Sequence, residues 1–294
     1  MATLRPPSDS PTVAVITVSY GSEAVLSGFL ASISAASTER CLIVVADNKA
    51  ASGTAVARIA DEAGAAYLPL SDNRGYGAGM NAAAASLPRE IRWVLISNPD
   101  VILAPEAIDL MVATGEEDDR IGSVGPVILT ATGDVYPSAR SVPSLRNGVG
   151  HALFANLWIS NPWSRAYRNE SETPPHRRDV GWLSGACVLV RRSAFDEIGG
   201  FDSDYFMYFE DVDLGFRLGQ LGYRNVYQPS AVVTHAGAHS TSTESSHMIS
   251  AHHESAKRFL KKKYSAAWLW PVRSALTVGL SVRSALVRHR MSRE

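Results

Sequence analysis

The apolar run at residues 93–103, WVLISNPDVIL, is broken by Asn98, Pro99 and Asp100. Pro99 has no N–H to give to a ladder, so a central strand has to end near Ser97. An ionised Asp100 beside a core is costly unless a cation or strong donors meet it. Two readings follow: a turn capped by Asp100, or a carboxylate set at a strand tip to hold a metal ion. The segment YFMYFEDVDLGFRLG (205–219) adds Glu210, Asp211 and Asp213. On a helix Asp211 and Asp213 point about 200° apart, so they cannot serve one site together. Asp213 can pair with Arg217 one turn on. Glu210 and Asp211 stand at the helix start beside aromatic residues. A like-charged neighbour and partial burial raise a carboxyl pKa there, as a general base requires, and helix capping is the plain alternative. His235 ends the run AVVTH. An imidazole and one carboxylate with open positions can hold a divalent ion. His239, His252 and His253 raise zinc, but no cysteine or HExxH spacing accompanies them.

These residues need a scaffold that brings strand ends together. Strands are expected at 13–19 (VAVITVS), 41–47 (CLIVVAD), 65–70 (AAYLPL) and 91–97 (IRWVLIS). Helices are expected between them at 23–36, 53–64 and 76–87. Such alternation predicts a parallel sheet covered on both faces. Ligands of such sheets bind outside the carboxyl ends of the strands. Thr17, Ser19, Asp47, Asn48, Asn98 and Asp100 all fall on that rim. An acid ending the second strand also suits a dinucleotide fold, but TVSYGSEAV carries one glycine where that fold needs several. Gly75, Gly77 and Gly79 follow the third strand and read as room for a ligand at a helix N-terminus, with Arg74 suited to phosphate.

The pattern loosens over 134–180. A long irregular segment inside a compact domain is usually functional. Strand character returns at 181–192, a helix is expected at 210–222 with Gly222 as its C-cap, and a strand pair or bent strand at 224–235. Residues 250–294 look helical.

The chain has 294 residues, 46% of them hydrophobic and 19% charged, which fits a folded domain. Its net charge of −1 conceals an asymmetry. Residues 257–294 hold ten basic residues against Glu294, about +9, leaving about −10 on the rest. That tail suits an acidic partner such as a phospholipid surface or nucleic acid. Arg273 and Arg283 interrupt its apolar stretch, so it does not read as a membrane span. Trp268 and Trp270 suit a membrane interface, and Val272, Leu276 and Leu280 can share a helix face. Cys41 and Cys187 read as reduced core thiols rather than a disulfide framework. The polar, Pro-rich start MATLRPPSDSP lacks a signal-peptide core and is expected to be disordered.

Taken together, VITVSY, ADN…SGT (46–54), NRGYGAGMN, NPD and GWLSGACVLVRRSAFDEIGGFDSDYFMYFEDVDLGFRLGQLGYRNVYQPSAVVTH resemble, in order and spacing, a family 2 inverting glycosyltransferase. The resemblance covers residues 13–235. It implies a GT-A fold: α/β, Rossmann-like, a mixed and mainly parallel sheet with helices on both faces and a helical C-terminal tail. It implies a disordered 1–12, a transferase domain at 13–249 (nucleotide-sugar half 13–130, acceptor and catalytic half 131–249) and a basic amphipathic tail at 250–294. Asp211 would be the catalytic base with Glu210 beside it. Asp100 and His235 would hold a divalent metal, Mg²⁺ or Mn²⁺. Asn98 stands where the family's DxD motif has its first Asp, which removes one charge. Thr17, Ser19, Asp47, Asn48, Asn73, Arg74, Gly75 and Asn98 would line the donor nucleotide, and Trp182 and Gly185 the acceptor. GDVYPSARSVPSL (133–145), NPWSRAYR (161–168) and the basic tail narrow the resemblance to cell-wall linker transferases. These move L-rhamnose from dTDP-L-rhamnose to polyprenyl-diphospho-N-acetylglucosamine. That implies a cytoplasmic protein, peripheral on the inner membrane face through its tail, with no nucleic-acid partner. The tail also offers a surface for a homo-oligomer. A nucleotidyltransferase would want a glycine-rich basic loop after the first strand, which is missing. A non-catalytic sugar-nucleotide-binding scaffold would not need the carboxylates and His235.

Overall fold

A computed structural model describes residues 11–50, 54–144, 175–235, 245–271 and 274. The expectations for the N-terminal segment, for NPWSRAYR, for His239 and for the tail beyond residue 274 lie outside these residues.

The first half alternates as expected: β1 (Val13–Ser19), α1 (Glu23–Ala36), β2 (Leu42–Asp47), α2 (Thr54–Glu62), β3 (Ala66–Pro69), α3 (Tyr76–Ala85) and β4 (Trp93–Ser97). β1 pairs in parallel with β2 and β4, and β2 with β3. There follow β5 (Val101–Leu103), α4 (Ala107–Gly115), β6 (Ile121–Thr130), the short β7 (Val135–Tyr136) and β8 (Ala139–Arg140). Then come β9 (Arg178–Val180), β10 (Trp182–Leu183), β11 (Cys187–Arg191), α5 (Arg192–Glu197), α6 (Glu210–Gln220), β12 (Arg224–His235) and α7 (Ser245–Lys263). The main sheet runs β3-β2-β1-β4-β11-β6-β12-β5. One face packs on α1, α2 and α4 through Leu26, Phe29, Val56, Ile108 and Met111. The other packs on α3, α5 and α6 through Met80, Ala83, Phe195, Leu214 and Leu218. The alternating side chains of β1 serve both cores, which is why its apolar pattern is continuous rather than alternating.

The sheet has to curl. Three residues join β4 to β5, a reach of about 14 Å at most. Yet β11, β6 and β12 stand between these strands, and four strand spacings amount to about 19 Å. β12 supplies the bend. Its pairing with β6 jumps from Gln228↔Pro126 to Val232↔Val127, so residues 229–231 stand outside the ladder. A bulge of this kind kinks and twists a strand. The bent-strand reading of 224–235 is therefore the observed one.

The elements α4, β6 and α5 are not legible in the sequence, nor are the short strands β5, β7, β8 and β9. β6 contains Gly122, Gly125 and Pro126, which argue against a central strand. The fold needs them. A Cβ on Gly125 would lie 2.5 Å from Leu183, and Pro126 sits where the β12 register breaks. α7 begins at Ser245 rather than at the tail boundary of residue 250 and belongs to the packed body. Phe259 is fully buried with Tyr205 and Val212 in a third small core. Cys187 is buried and Cys41 half-buried, both as free thiols; Cys41 thus flanks the core rather than lying in it.

Candidate active site

The register of the sheet assembles one rim. Ser19 lies beside Asp47, and Thr17 beside Ser97, at the carboxyl ends of β1, β2 and β4. β11 runs antiparallel to β4 with Cys187 opposite Ser97, which brings Gly185 and Ala186 to the same rim. β12 pairs with β5 so that His235 faces Val101, the residue after Asp100. The two side chains meet: His235 Nε2 lies 3.0 Å from Asp100 Oδ1. Asn98 Nδ2 lies 3.4 Å from the same imidazole nitrogen. Both Asp100 and His235 keep part of their side chains exposed.

The donor-side residues fall into two groups. Thr17 Oγ1, Ser19 Oγ and Asn48 Oδ1 are buried and meet no hydrogen-bond partner, which is unusual for buried polar atoms. Asp47 is buried and engaged, accepting from Tyr67 OH (3.0 Å) and from the Lys49 N–H (2.9 Å). Asn73 Oδ1 accepts the Gly75 N–H at 3.0 Å, and both Asn73 and Arg74 are exposed. The glycines correct the sequence reading. Gly75 has φ +95°, and a Cβ there would fall 2.0 Å from the Phe206 carbonyl oxygen. A Cβ on Gly77 would fall 2.9 Å from Phe201, and one on Gly79 2.8 Å from Val18. The protein's own chain already packs closely on these glycines.

The carboxylate pair opens α6. Two successive non-glycine residues in the left-handed region, Tyr208 (φ 65°) and Phe209 (φ 64°), precede it. Such residues cost about 1–3 kcal/mol each and gather at functional sites. Asp211 is half-buried and accepts the Gly185 N–H at 3.0 Å and the Val212 N–H at 2.8 Å. Glu210 is buried, and its Oε2 meets no partner. Burial, followed by the charge of Asp211, pushes the Glu210 carboxyl up to about 8. Burial also raises Asp211, while the Gly185 and Val212 N–H groups pull it back down. The environments thus differ: both carboxyls are raised by burial, and the backbone N–H groups oppose the rise at Asp211, whereas Glu210 Oε2 has no such partner. Asp213 is fully buried and bonded to Arg217 Nε at 2.5 Å, the structural role expected of it.

Tyr76, to which the sequence assigns no role, joins the parts. Its hydroxyl donates to the Gly185 carbonyl at 2.6 Å. Burial raises that hydroxyl well above its ordinary value, and the charges of Glu210, Asp211, Cys187 and Asp100 add to the effect. Gly185 holds Asp211 through its N–H and α3 through its C=O. Trp182 is committed elsewhere: its Nε1–H donates to the Ser141 carbonyl at 3.2 Å, and its Cβ backs onto Gly215. His252 packs edge-on against Tyr208 and Phe209. Among the described residues no group of three or more His, Cys, Asp and Glu side chains gathers as a metal site, and no helix is long and apolar enough to cross a membrane.

A family model described as "Glycosyltransferase like family 2" matches residues 11–253. The chain belongs to that family. It is 43% identical over 282 residues to the N-acetylglucosaminyl-diphospho-decaprenol L-rhamnosyltransferase of Mycobacterium tuberculosis, covering 93% of this chain and 92% of that one. It is 28% identical over 258 residues to the rhamnosyltransferase WbbL of Escherichia coli, covering 85% and 93%. Among solved structures it resembles the mannosyltransferase PcManGT of Pyrobaculum calidifontis in complex with GDP-Man and Mn²⁺. That match has a TM-score of 0.60 at 18% identity and covers 91% of this chain and 69% of that one. GalNAc-T7 with UDP, GalNAc and Mn²⁺ matches with a TM-score of 0.55 at 16% identity, over 79% and 45%. At these identities the likeness is one of fold, the GT-A arrangement. This family member thus carries Thr17, Ser19, Asp47, Asp100, Asp211 and His235 on one rim of a GT-A sheet.

The Glu210 environment generates a prediction about stability. Its carboxyl titrates near 4.5 when exposed and at about 8 when folded, so the native state binds the extra proton between those values. Stability that is full below pH 4.5 is therefore lost as pH rises through 8. The difference in unfolding free energy between wild type and Glu210→Gln should fall by on the order of 3 kcal/mol from pH 5 to pH 8.5 in urea titrations. A pH-independent difference would show that Glu210 is ionised in the fold.

Proposed function

We propose that the protein transfers L-rhamnose from dTDP-L-rhamnose to a polyprenyl-diphospho-N-acetylglucosamine acceptor, a step of cell-wall linker synthesis. The observation that carries this reading is the 43% identity, along 93% of the chain, to the mycobacterial L-rhamnosyltransferase. The site chemistry suits it.

The acceptor hydroxyl is a poor nucleophile until its proton is taken. Asp211 is the base for that proton, half-exposed and held in place by the Gly185 N–H. The freed oxygen attacks the sugar's anomeric carbon as the bond to the diphosphate breaks on the opposite face, and the bonding electrons leave with the diphosphate. Glu210, protonated beside Asp211, spares the site a second buried charge. On the donor side, the unpartnered hydroxyls of Thr17 and Ser19 and the Asn48 carbonyl offer hydrogen bonds to the nucleoside, with exposed Asn73 and Arg74 nearest the diphosphate. Gly185, beside Asp211, forms the wall against which the acceptor sugar sits.

The pair Asp100 and His235 fits a divalent ion. Neighbouring donors of an octahedral ion with bonds of about 2.1 Å stand about 3.0 Å apart. Asp100 Oδ1 and His235 Nε2 stand at that separation, which is also that of the hydrogen bond they make to each other. One carboxylate and one imidazole leave most positions to phosphate oxygens and water. Mg²⁺ or Mn²⁺ held there would supply positive charge to the leaving diphosphate.

A lipid-linked acceptor calls for a membrane-facing surface. Trp268 is 78% and Trp270 63% exposed, in the turn that follows the lysines ending α7. Exposed tryptophans beside basic residues suit the headgroup region of an anionic bilayer.

Two expected outcomes test this function. Asp211→Asn lowers kcat at least about 100-fold while the dTDP-L-rhamnose dissociation constant stays within about threefold, read by product mass and by calorimetry. Full turnover by this variant would remove the base assignment, and a product carrying another sugar would reassign the donor. Replacing Trp268 and Trp270 together with alanine weakens binding to phosphatidylglycerol vesicles at least about tenfold in co-sedimentation. Unchanged binding would move the membrane contact elsewhere.

A further inference from the structure

The base pair has no rigid element immediately before it. Glu210 follows the segment 201–209, which is without helix or strand and ends in two left-handed residues. Two neighbours define the path of that segment. On one side stands α3: the Tyr76 N–H donates to the Phe206 carbonyl at 3.1 Å, and Gly75 leaves room for that carbonyl. On the other side stands α7, and its contacts are more numerous. Ser255 Oγ donates to the Met207 carbonyl at 2.8 Å. The His252 ring sits edge-on to Tyr208 at 5.5 Å and to Phe209 at 5.3 Å. Phe259 packs on Phe209 with ring centres 5.8 Å apart. Arg258 pairs with Asp204.

Lys262 reaches furthest. Its Nζ lies 2.9 Å from Asp202 Oδ2 at the start of the segment and 2.7 Å from Asp213 Oδ1 inside α6. Asp202 and Asp213 bracket Asp211 in the chain. Asp213 is fully buried, its other oxygen is taken by Arg217, and Oδ1 has no hydrogen-bond donor of good geometry. A buried carboxylate left with a single cation is costly, so the ammonium of Lys262 fixes where the first turn of α6 can lie. Most of α7 lies beyond residue 253, where the family match ends. The helix packs against the segment before Asp211 through Ser255, Phe259 and Lys262.

We propose that α7 is a strut for the catalytic base, with Lys262 and Ser255 as positioning residues that hold segment 201–209 and the first turn of α6 so that Asp211 meets the Gly185 N–H. The proposal rests on Asp211 being the base. It makes the C-terminal helix part of the transfer machinery rather than an appendage, although neither residue is placed against substrate.

The test compares Lys262→Met, Lys262→Arg and the milder Ser255→Ala with wild type, using full-length protein and dTDP-L-rhamnose with lipid-linked GlcNAc. Per folded molecule, Lys262→Met is expected to lower kcat at least tenfold with the donor KM within twofold. Lys262→Arg restores kcat to within threefold of wild type, and Ser255→Ala lowers it several-fold. Amide hydrogen exchange of residues 201–212 is read in the same proteins without substrate, and it should quicken at least tenfold in Lys262→Met. A purely structural role would reduce the folded fraction and leave both readouts of the folded molecules unchanged, which overturns the strut. If Lys262→Met does not fold, Ser255→Ala decides by the same two readouts. Wild-type protein inactive with this donor would instead overturn the function proposed above, and the exchange arm would still decide whether α7 holds the loop.

Discussion

Three residues, Asn98, Pro99 and Asp100, connect two strands that the sheet order places four positions apart. That short link is the constraint from which the site follows. It obliges the sheet to curl until the tip of β12 stands over the end of β4. The curl is made possible by the unpaired residues 229–231 of β12. Once β5 pairs with β12 in the register His235↔Val101, Asp100 and the imidazole have to be neighbours. The same link reaches the other half of the site, since the Asn98 N–H donates to the Ala186 carbonyl at 2.9 Å. Ala186 is the neighbour of Gly185, whose N–H fixes Asp211. A shift in this connection would therefore disturb both the Asp100–His235 pair and Asp211.

The electrostatics of the rim point the same way. Asp100, Glu210 and Asp211 all bear on the single hydroxyl of Tyr76, so three carboxyl groups crowd one cleft. Each of the three has its own relief. Glu210 is buried deeply enough to stay protonated, and Asp211 draws on backbone N–H groups. Asp100 has the imidazole of His235 and, in the proposed function, a bound cation. If Asn98 stands at the first acid of a DxD motif, as the sequence resemblance implies, the turn carries one negative charge fewer than that motif. Its hold on an ion would then depend more on the diphosphate.

Much of this is legible in the amino-acid sequence. The strand-helix alternation from Val13 to Ser97 places Thr17, Ser19, Asp47 and Asn98 on one rim because period and breakers agree there. The helical angle between Asp211 and Asp213 separates a site residue from a structural one. Elsewhere local pattern gives way to tertiary contact. Gly122, Gly125 and Pro126 mask a central strand, since their small size and missing N–H serve Tyr223, Leu183 and the register break rather than a turn. Gly75 looks like ligand space in the sequence and is space for the Phe206 carbonyl in the fold. Tyr76 gives no sequence signal because its partner, Gly185, is more than a hundred residues away. Lys262 gives none because its carboxylates lie in other elements of the chain. The charge of the basic C-terminal segment conceals that Arg258 and Lys262 are engaged by Asp202 and Asp204 of segment 201–209 and by the buried Asp213 of α6.

The claim at the centre is that the tips of β4 and β12 form one cation site. It is tested most directly by titrating Mn²⁺ into the protein with dTDP present and following the free ion by electron paramagnetic resonance. The account predicts one ion bound per wild-type chain and at least a tenfold weaker affinity in both Asp100→Asn and His235→Ala. Equal Mn²⁺ affinity in all three proteins would contradict it.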